Sequence, residues 1–332
     1  MPFERGPARE NPADPAQSDF MVKLDIVIVN WNAGGQLLEC LKSIQSLPSG
    51  NVFHLSTCIV VDNASSDGSA ESLDGFKFNL IVIKNQENKG FGTACNQGAG
   101  IGTGKYILFL NPDIKLFPES LSKSIVFLED PQHEQVGILG IQLVDENGNI
   151  QRNAARFPAP WSLTYQMIGL DRLWPSRFRP YIMTDWDHRV SREVEQVQGA
   201  FFLVRRNVYE ALGGFDERFF MYYEDVDFAF RAKLAGWRSY YLADAQAFHR
   251  GGGTSDQVKA ERLFYWMTSR LQYTRKHFGL QSAKWILVSM LSLEFVARIS
   301  RNLVHLSGKH LIETLQAYGM FVKTGPRLLN EK

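Results

Sequence analysis

Three observations predict an α/β fold with a mostly parallel sheet flanked by helices. Short, apolar, β-branched runs recur at Leu24–Val29, Cys58–Val61, Leu80–Ile83 and Tyr106–Leu110, with no polar alternation to mark a face open to water. Stretches of helical period separate several of them. The polar residues that end these runs, Asn30, Asn32, Asp62, Asn88 and Asp113, all fall just past a strand's C-terminal end. In an open α/β sheet that edge is where ligands bind.

Residues 1–22 carry Pro, Ala and charge without an apolar core, which predicts a disordered arm and no signal peptide. The first strand, Leu24–Val29, closes in Asn30-Trp31-Asn32-Ala33-Gly34-Gly35. Leu37, Leu38, Leu41 and Ile44 then repeat at helical spacing. Cys58–Val61 ends in a polar run, Asp62 to Ser69, in which Ser65 and Asp67 read as helix caps. Leu80–Ile83 leads through Asn85–Gly92 into a helix near Thr93–Gly98, and Tyr106–Leu110 ends in Asn111-Pro112-Asp113. A helix is expected over Pro118–Leu128 and a strand over Val136–Leu139, followed by a hairpin turning at Asp145-Glu-Asn-Gly148. Residues 153–193 hold three Trp and two Tyr. They read equally well as a loop packed down by its aromatics or as an acceptor-binding region. Next come a buried strand, Ala200–Val204, a short helix, Asn207–Leu212, and a strand, Arg238–Ala243. Ala247–Gly253 is expected to be a flexible loop, with His249 beside three glycines as a candidate ligand on a mobile lid. The expected organisation is a domain over 23–255, divided into a nucleotide-binding half (23–115) and an acceptor and catalytic half (116–255), with a helical extension over 256–332.

The chain has 332 residues, 45% hydrophobic and 21% charged, with a net charge of +1. That is enough for one large core or two smaller ones, and it carries no nucleic-acid signature. The charge is uneven: residues 259–332 hold 12 Lys and Arg against 4 Asp and Glu, a net of +8, which leaves −7 for the rest. Three cysteines, Cys40, Cys58 and Cys95, form no CxxC and no even framework, so free thiols in a reducing compartment are expected. The apolar stretch Trp285–Ile299 is interrupted by Glu294 and Arg298 and is shorter than the roughly 20 residues of a membrane span. A cytoplasmic protein without a transmembrane helix follows. Glu294, Arg298, Arg301, His305 and Lys309 recur at three- and four-residue spacing. That predicts an amphipathic helix with a mostly basic face, either resting on the inner membrane face or packed in a bundle.

The most distinctive stretch is Phe219-Phe-Met-Tyr-Tyr-Glu-Asp-Val-Asp-Phe-Ala-Phe-Arg231. Glu224 and Asp225 follow five bulky side chains and open a helical pattern that runs to Gly236. A helix N-terminus favours such negative charge. A structural cap and a functional pair are both consistent with this stretch alone. Asp227 is expected to pair with Arg231, its i+4 neighbour. Two other signals fail: Gly98–Gly104 precedes a strand instead of following one, so it is no dinucleotide loop, and Gly104-Lys105 runs into Tyr106, so it is no Walker A loop.

Taken together, Val27-Ile-Val-Asn-Trp-Asn32, Val60-Val-Asp-Asn-Ala-Ser65, Asn88-Lys-Gly-Phe-Gly92, Phe109-Leu-Asn-Pro-Asp113, Gly199-Ala-Phe-Phe-Leu-Val204, Gly213 to Asp227 and Phe248-His249 resemble family 2 glycosyltransferases. Within that family they are most similar to the rhamnosyltransferase-like branch. The resemblance spans about residues 22–255. It implies a GT-A fold, an inverting mechanism and a divalent metal, Mg²⁺ or Mn²⁺. It also implies that Asp62 bonds the nucleobase and that Val29, Asn30, Trp31 and Asn32 flank the nucleoside. Asn88 and Gly90 would complete the donor site. Asn111 would face the ribose, Asp113 would bind the metal with His249, and Asp225 would be the general base beside Glu224. Asn111 stands where the family's first Asp stands, and Cys95 where many members carry Arg.

The chemistry fits these residue types. A departing diphosphate needs positive charge, hard oxygen ligands suit Mg²⁺ or Mn²⁺, and single-displacement inversion needs one base on the acceptor hydroxyl. The expected donor is a nucleoside-diphosphate sugar, dTDP-L-rhamnose by branch, and the acceptor a glycan or polyprenyl-linked saccharide. A sugar nucleotidyltransferase and a non-catalytic glycan-binding protein are the competing readings. The first lacks its Gly-rich N-terminal phosphate loop here, and Asp113, Asp225 and His249 stand against the second.

Overall fold

The computed structural model describes residues 21–48, 52–251 and 258–330. The disordered arm expected over 1–22 therefore lies outside the described residues, apart from Met21 and Val22. A ten-stranded mixed sheet forms the body. Its parallel half contains β1 (Val22–Asn30), β2 (Phe53–Asp62), β3 (Leu80–Lys84) and β4 (Tyr106–Leu110), in the order β3-β2-β1-β4. Strands β1 and β2 are longer than the apolar runs that predict them: both begin earlier, and Asn30 and Asp62 continue the ladder and pair with each other. The other half adds β5 (Ile114–Leu116), β6 (Val136–Val144) and its hairpin mate β7 (Ile150–Gln151). It also holds β9 (Arg192–Val194), β11 (Phe201–Arg205) and β12 (Arg238–His249), while β8 (Ala154–Ala155) and β10 (Gln196–Val197) form a separate pair. The order continues β4-β11-β6-β12-β5, with β11 antiparallel to both neighbours.

Helices α1 (Gly35–Gln45) and α3 (Ser120–Glu129) pack on one face of the sheet. Helix α2 (Phe91–Ala99) packs on the other, with α6 (Arg206–Ala211) and α7 (Glu224–Leu234). Residues 153–193 are less irregular than expected, since α4 (Pro160–Met167) and α5 (Leu170–Leu173) lie within them. The C-terminal part contains α8 (Lys259–Ser289), a π-helical turn (Met290–Glu294), α9 (Phe295–Val304) and α10 (Gly308–Leu328).

Four expectations change. Ala247–His249 is not loop: β12 runs through it, paired with Leu116–Ile114 of β5, so His249 sits on a strand, and residues 252–257 lie outside the description. Ser65 and Asp67 cap no helix of their own; Ser65 Oγ accepts the Asn32 N–H at 2.9 Å and an Asp67 oxygen accepts the Gly34 N–H at 2.8 Å. Glu294 is not on a solvated face; it is 3% exposed and bonded to Arg270 and Arg298. With that charge paired inside the protein, Lys259–Val304 contains an 18-residue window of mean hydropathy 1.2, so length and composition alone admit a membrane span.

Gly102 and Gly104 have a structural job. A Cβ at Gly102 would lie 2.2 Å from a carboxylate oxygen of Asp25. Asp25 is fully buried on β1, takes the Gly104 N–H at 2.6 Å and pairs with Arg206 at 2.8 Å. Removing one partner of a buried pair strands the other charge, at a cost of about 3–5 kcal/mol. Arg206→Met is therefore expected to lower unfolding free energy by about that amount in chemical denaturation, and Asp25→Asn by less. Equal, negligible losses would show that this pair does not secure β1.

Candidate active site

A cavity of about 480 Å³ opens at the carboxyl ends of β1, β2 and β4. Val29 and Trp31 enter it from the end of β1, Asn88 from the loop before α2, and Asn111, Pro112 and Asp113 from the β4–β5 connection. Glu224 and Asp225, the first residues of α7, form another wall, and His249 enters from β12. Eight sequence-derived candidates thus meet in one space, although they are spread over more than two hundred residues of chain.

Four candidates do not line it. Asn30 is fully buried, and its amide donates to Asp62 at 2.8 Å, Ser65 at 3.0 Å and Ser69 at 2.9 Å. It ties adjacent strand ends together and makes no wall; the nucleotide contact expected of it gives way to that bonding. Asp62, 6% exposed, receives that bond and stands just behind the cavity. Asn32, at φ 49°, spends its side-chain oxygen on the Ser66 N–H at 2.8 Å. Gly90, at φ 87°, meets protein, not the cavity: a Cβ there would lie 2.5 Å from the Phe220 carbonyl oxygen. Asn63, Tyr181, Gln198 and Trp266 line the cavity without having been singled out. Trp266 had no signal in the sequence, since it lies in α8, beyond any motif.

The segment before the carboxylate pair is strained. Tyr222 and Tyr223 both have φ 68°, a left-handed conformation that costs a side-chain-bearing residue about 1–3 kcal/mol. Its neighbours hold it there. The Phe91 N–H bonds the Phe220 carbonyl at 2.8 Å, Ser269 Oγ bonds the Met221 carbonyl at 2.7 Å, and Tyr265 stacks on Phe220 at 4.5 Å. The turn aims the first residues of α7 into the cavity.

The two carboxylates differ in surroundings. Asp225 accepts the Gly199 N–H at 2.9 Å and the Val226 N–H at 2.8 Å. Burial pushes its carboxyl up, and these two donors oppose the shift. Glu224 has a buried oxygen with no hydrogen-bond partner. Burial holds it well above the ordinary carboxylate range, and the charge of Asp225 adds to the shift. Burial thus raises both carboxyls, Glu224 the more strongly, since Asp225 has two backbone donors and one buried Glu224 oxygen has none; environments that separate two carboxyls in this way set acid and base roles elsewhere. Cys95, packed behind Glu224, has its thiol pushed up by burial.

At the opposite wall His249 Nε2 lies 3.4 Å from an Asp113 oxygen, and Gln151 meets its Nδ1 at 2.6 Å. A partner on one ring nitrogen orients the other, as at metal-binding histidines. Among the described residues no three His, Cys, Asp or Glu side chains gather into a metal cage. Asp113 and His249 form a two-residue donor set, which fits an ion whose remaining positions are filled by diphosphate oxygens and water.

A family model described as glycosyl transferase family 2 matches residues 25–213. The N-acetylglucosaminyl-diphospho-decaprenol L-rhamnosyltransferase of Mycobacterium tuberculosis is 26% identical over 268 residues, covering 72% of this chain and 80% of its own length. The low-salt glycan biosynthesis hexosyltransferase Agl10 of Haloferax volcanii is 25% identical over 307 residues, with 85% of this chain and 90% of that protein covered. Among solved structures, S. aureus TarS 1–349 in complex with UDP-GlcNAc superposes with a TM-score of 0.53 at 17% identity, over 92% of this chain and 82% of that one. The fold is thus GT-A-like, a mostly parallel sheet flanked by helices with a C-terminal helical region. By the family model and the order of its motifs along the sheet edge, the chain belongs to glycosyl transferase family 2.

Proposed function

We propose that the protein is an inverting, metal-dependent glycosyltransferase. It moves L-rhamnose from dTDP-L-rhamnose to a hydroxyl of a polyprenyl-linked saccharide or related glycan in cell-surface polysaccharide synthesis. The observation that carries the reading is the carboxylate pair at the α7 N-terminus facing Asp113 and His249 across one cavity. The M. tuberculosis relative and the branch resemblance support the sugar and the lipid-linked acceptor.

In this reading the nucleoside lies along Val29 and Trp31, and Asp62, steered by Asn30, accepts the base N–H. Asn88 and Asn111 bond the ribose and its neighbouring phosphate. Asp113 and His249 would hold Mg²⁺ or Mn²⁺, and a bound ion would supply Lewis-acid stabilisation of the leaving diphosphate. Asp225 takes the proton of the acceptor hydroxyl as that oxygen bonds the anomeric carbon and the bond to the diphosphate breaks. Its two backbone donors oppose the upward push of burial and fix its direction. Glu224, whose carboxyl burial and the Asp225 charge push up, can when protonated donate to an acceptor or donor oxygen. Tyr181, Tyr222 and Trp266 provide apolar faces against which a sugar ring can rest.

A panel of dTDP-L-rhamnose, UDP-glucose, UDP-galactose and GDP-mannose, read by nucleoside diphosphate release, is expected to favour the first. Preference for another donor would overturn the sugar and keep the class. Asp113→Ala is expected to abolish metal-stimulated turnover, and full activity in EDTA would remove the metal from the reading. Asp225→Asn is expected to cost roughly 10²–10⁴-fold in turnover with the donor dissociation constant nearly unchanged, and Glu224→Gln less. The reverse order would exchange their roles.

Stability supplies a second readout. A carboxyl whose folded pKa exceeds its unfolded value binds its proton more tightly when folded. Its contribution is present below the unfolded pKa and is lost as pH rises through the folded one. Glu224 is raised in this way. Glu224→Gln should therefore stabilise the protein above the ordinary carboxylate range and flatten the decline of its melting temperature with rising pH. An unchanged profile would show that Glu224 titrates normally.

A further inference from the structure

We infer that the outer face of the C-terminal helices docks on an anionic lipid surface. The helical run from α8 through α9 turns one face outward. On it lie Trp285 (57% exposed), Val288 (61%), Val296 (61%), Leu303 (57%) and Val304 (78%), with Leu306 (92%) just beyond. No residue of α9 is buried. Between the apolar positions the same face carries Ser292 and Ser300, both exposed and uncharged. Contiguous exposed apolar surface of this extent marks an interaction site.

The rim of this face selects the partner. Lys284, Arg301, Lys309 and Lys323 are exposed around it. Across residues 280–330 the acids are Glu294 and Glu313, and Glu294 is buried against Arg270 and Arg298. The basic residues that remain outward are therefore barely offset. A second copy of this face would bring the same basic rim against itself, which is unfavourable. Anionic headgroups satisfy both the rim and the apolar strip, as at interfacial amphipathic helices. Arg270, Glu294 and Arg298 are held within the helical bundle, and Gly279 breaks α8 at φ 81°.

The proposal stands apart from the sugar and metal assignments, because it is read without donor or turnover. The experiment is flotation of the full chain with phosphatidylcholine vesicles and with phosphatidylcholine–phosphatidylglycerol vesicles, at low and high salt. Binding to the phosphatidylglycerol vesicles alone, weakened by salt, is expected. Each basic residue near such a surface contributes about fivefold in partitioning, so Arg301→Gln with Lys309→Gln should weaken binding about twenty-five-fold. Val296→Ser, Leu303→Ser and Leu306→Ser together should abolish it while leaving the melting temperature within a few degrees. Equal binding to both vesicle types, or binding that these variants leave intact, would overturn the proposal. So would a wild-type dimer that the serine variant splits, since the face would then belong to a second copy. Retention in the membrane through high salt and alkaline extraction would replace docking with a span.

Discussion

The carboxylate of Asp227 holds the active half of the molecule to its C-terminal helices. It is fully buried, one turn into α7, and it meets Arg231 at 2.7 Å, Lys276 at 2.5 Å and His277 at 2.7 Å. Burial pushes its pKa up, but His277, Arg231 and Lys276 outweigh burial and hold it below the usual range. Lys276 reaches on to Asp216, in the loop before the strained tyrosines, at 2.7 Å. One buried charge with three cationic or polar partners thus fixes α7, the approach to α7 and α8 relative to one another. A buried carboxylate so completely bonded confers geometry more than net stability, and here the geometry it fixes is that of the helix that opens with Glu224 and Asp225.

The same logic governs the other walls. Left-handed tyrosines at 222 and 223 are costly, so they persist only where their surroundings over-determine them. Gly90 is the condition for that, because any side chain there would occupy the space of the Phe220 carbonyl. Asn30 plays the corresponding part on the nucleotide side, where it fixes Asp62 by side-chain bonding across paired strand ends. Residues that touch no ligand in the proposed reaction therefore position those that do.

The parallel half of the sheet was legible because its strands carry short apolar runs, buried on both faces in β1, β2 and β4 and half-buried at the edge strand β3, and because each ends in a polar residue at the functional edge. The Glu224–Asp225 pair was legible because charge after five bulky side chains needs an explanation. The difference between their surroundings was not, since that depends on the Gly199 and Val226 N–H groups, which only the fold aims. The antiparallel strand β11 reads in sequence like its parallel neighbours, because burial on both faces removes the alternation that would tell them apart. His249 was mistaken for a lid residue because adjacent glycines signal mobility, whereas its pairing with Ile114 is long-range. Arg231 was legible as the i+4 partner of Asp227, but Trp266, Lys276 and His277 were not, because a boundary at residue 256, drawn from charge and composition, cuts through a contact that is made in three dimensions.

That contact has a consequence during synthesis. Every strand of the sheet precedes residue 250, and the Asp62, Asp113 and Asp225 positions are all in place before α8 begins. Trp266, Ser269, Lys276 and His277 leave the ribosome later. A nascent chain can thus complete its sheet while the tyrosine turn is still unpinned and Asp227 still lacks two of its partners. The last contacts made around the cavity therefore come from the same C-terminal helices whose outer face is apolar.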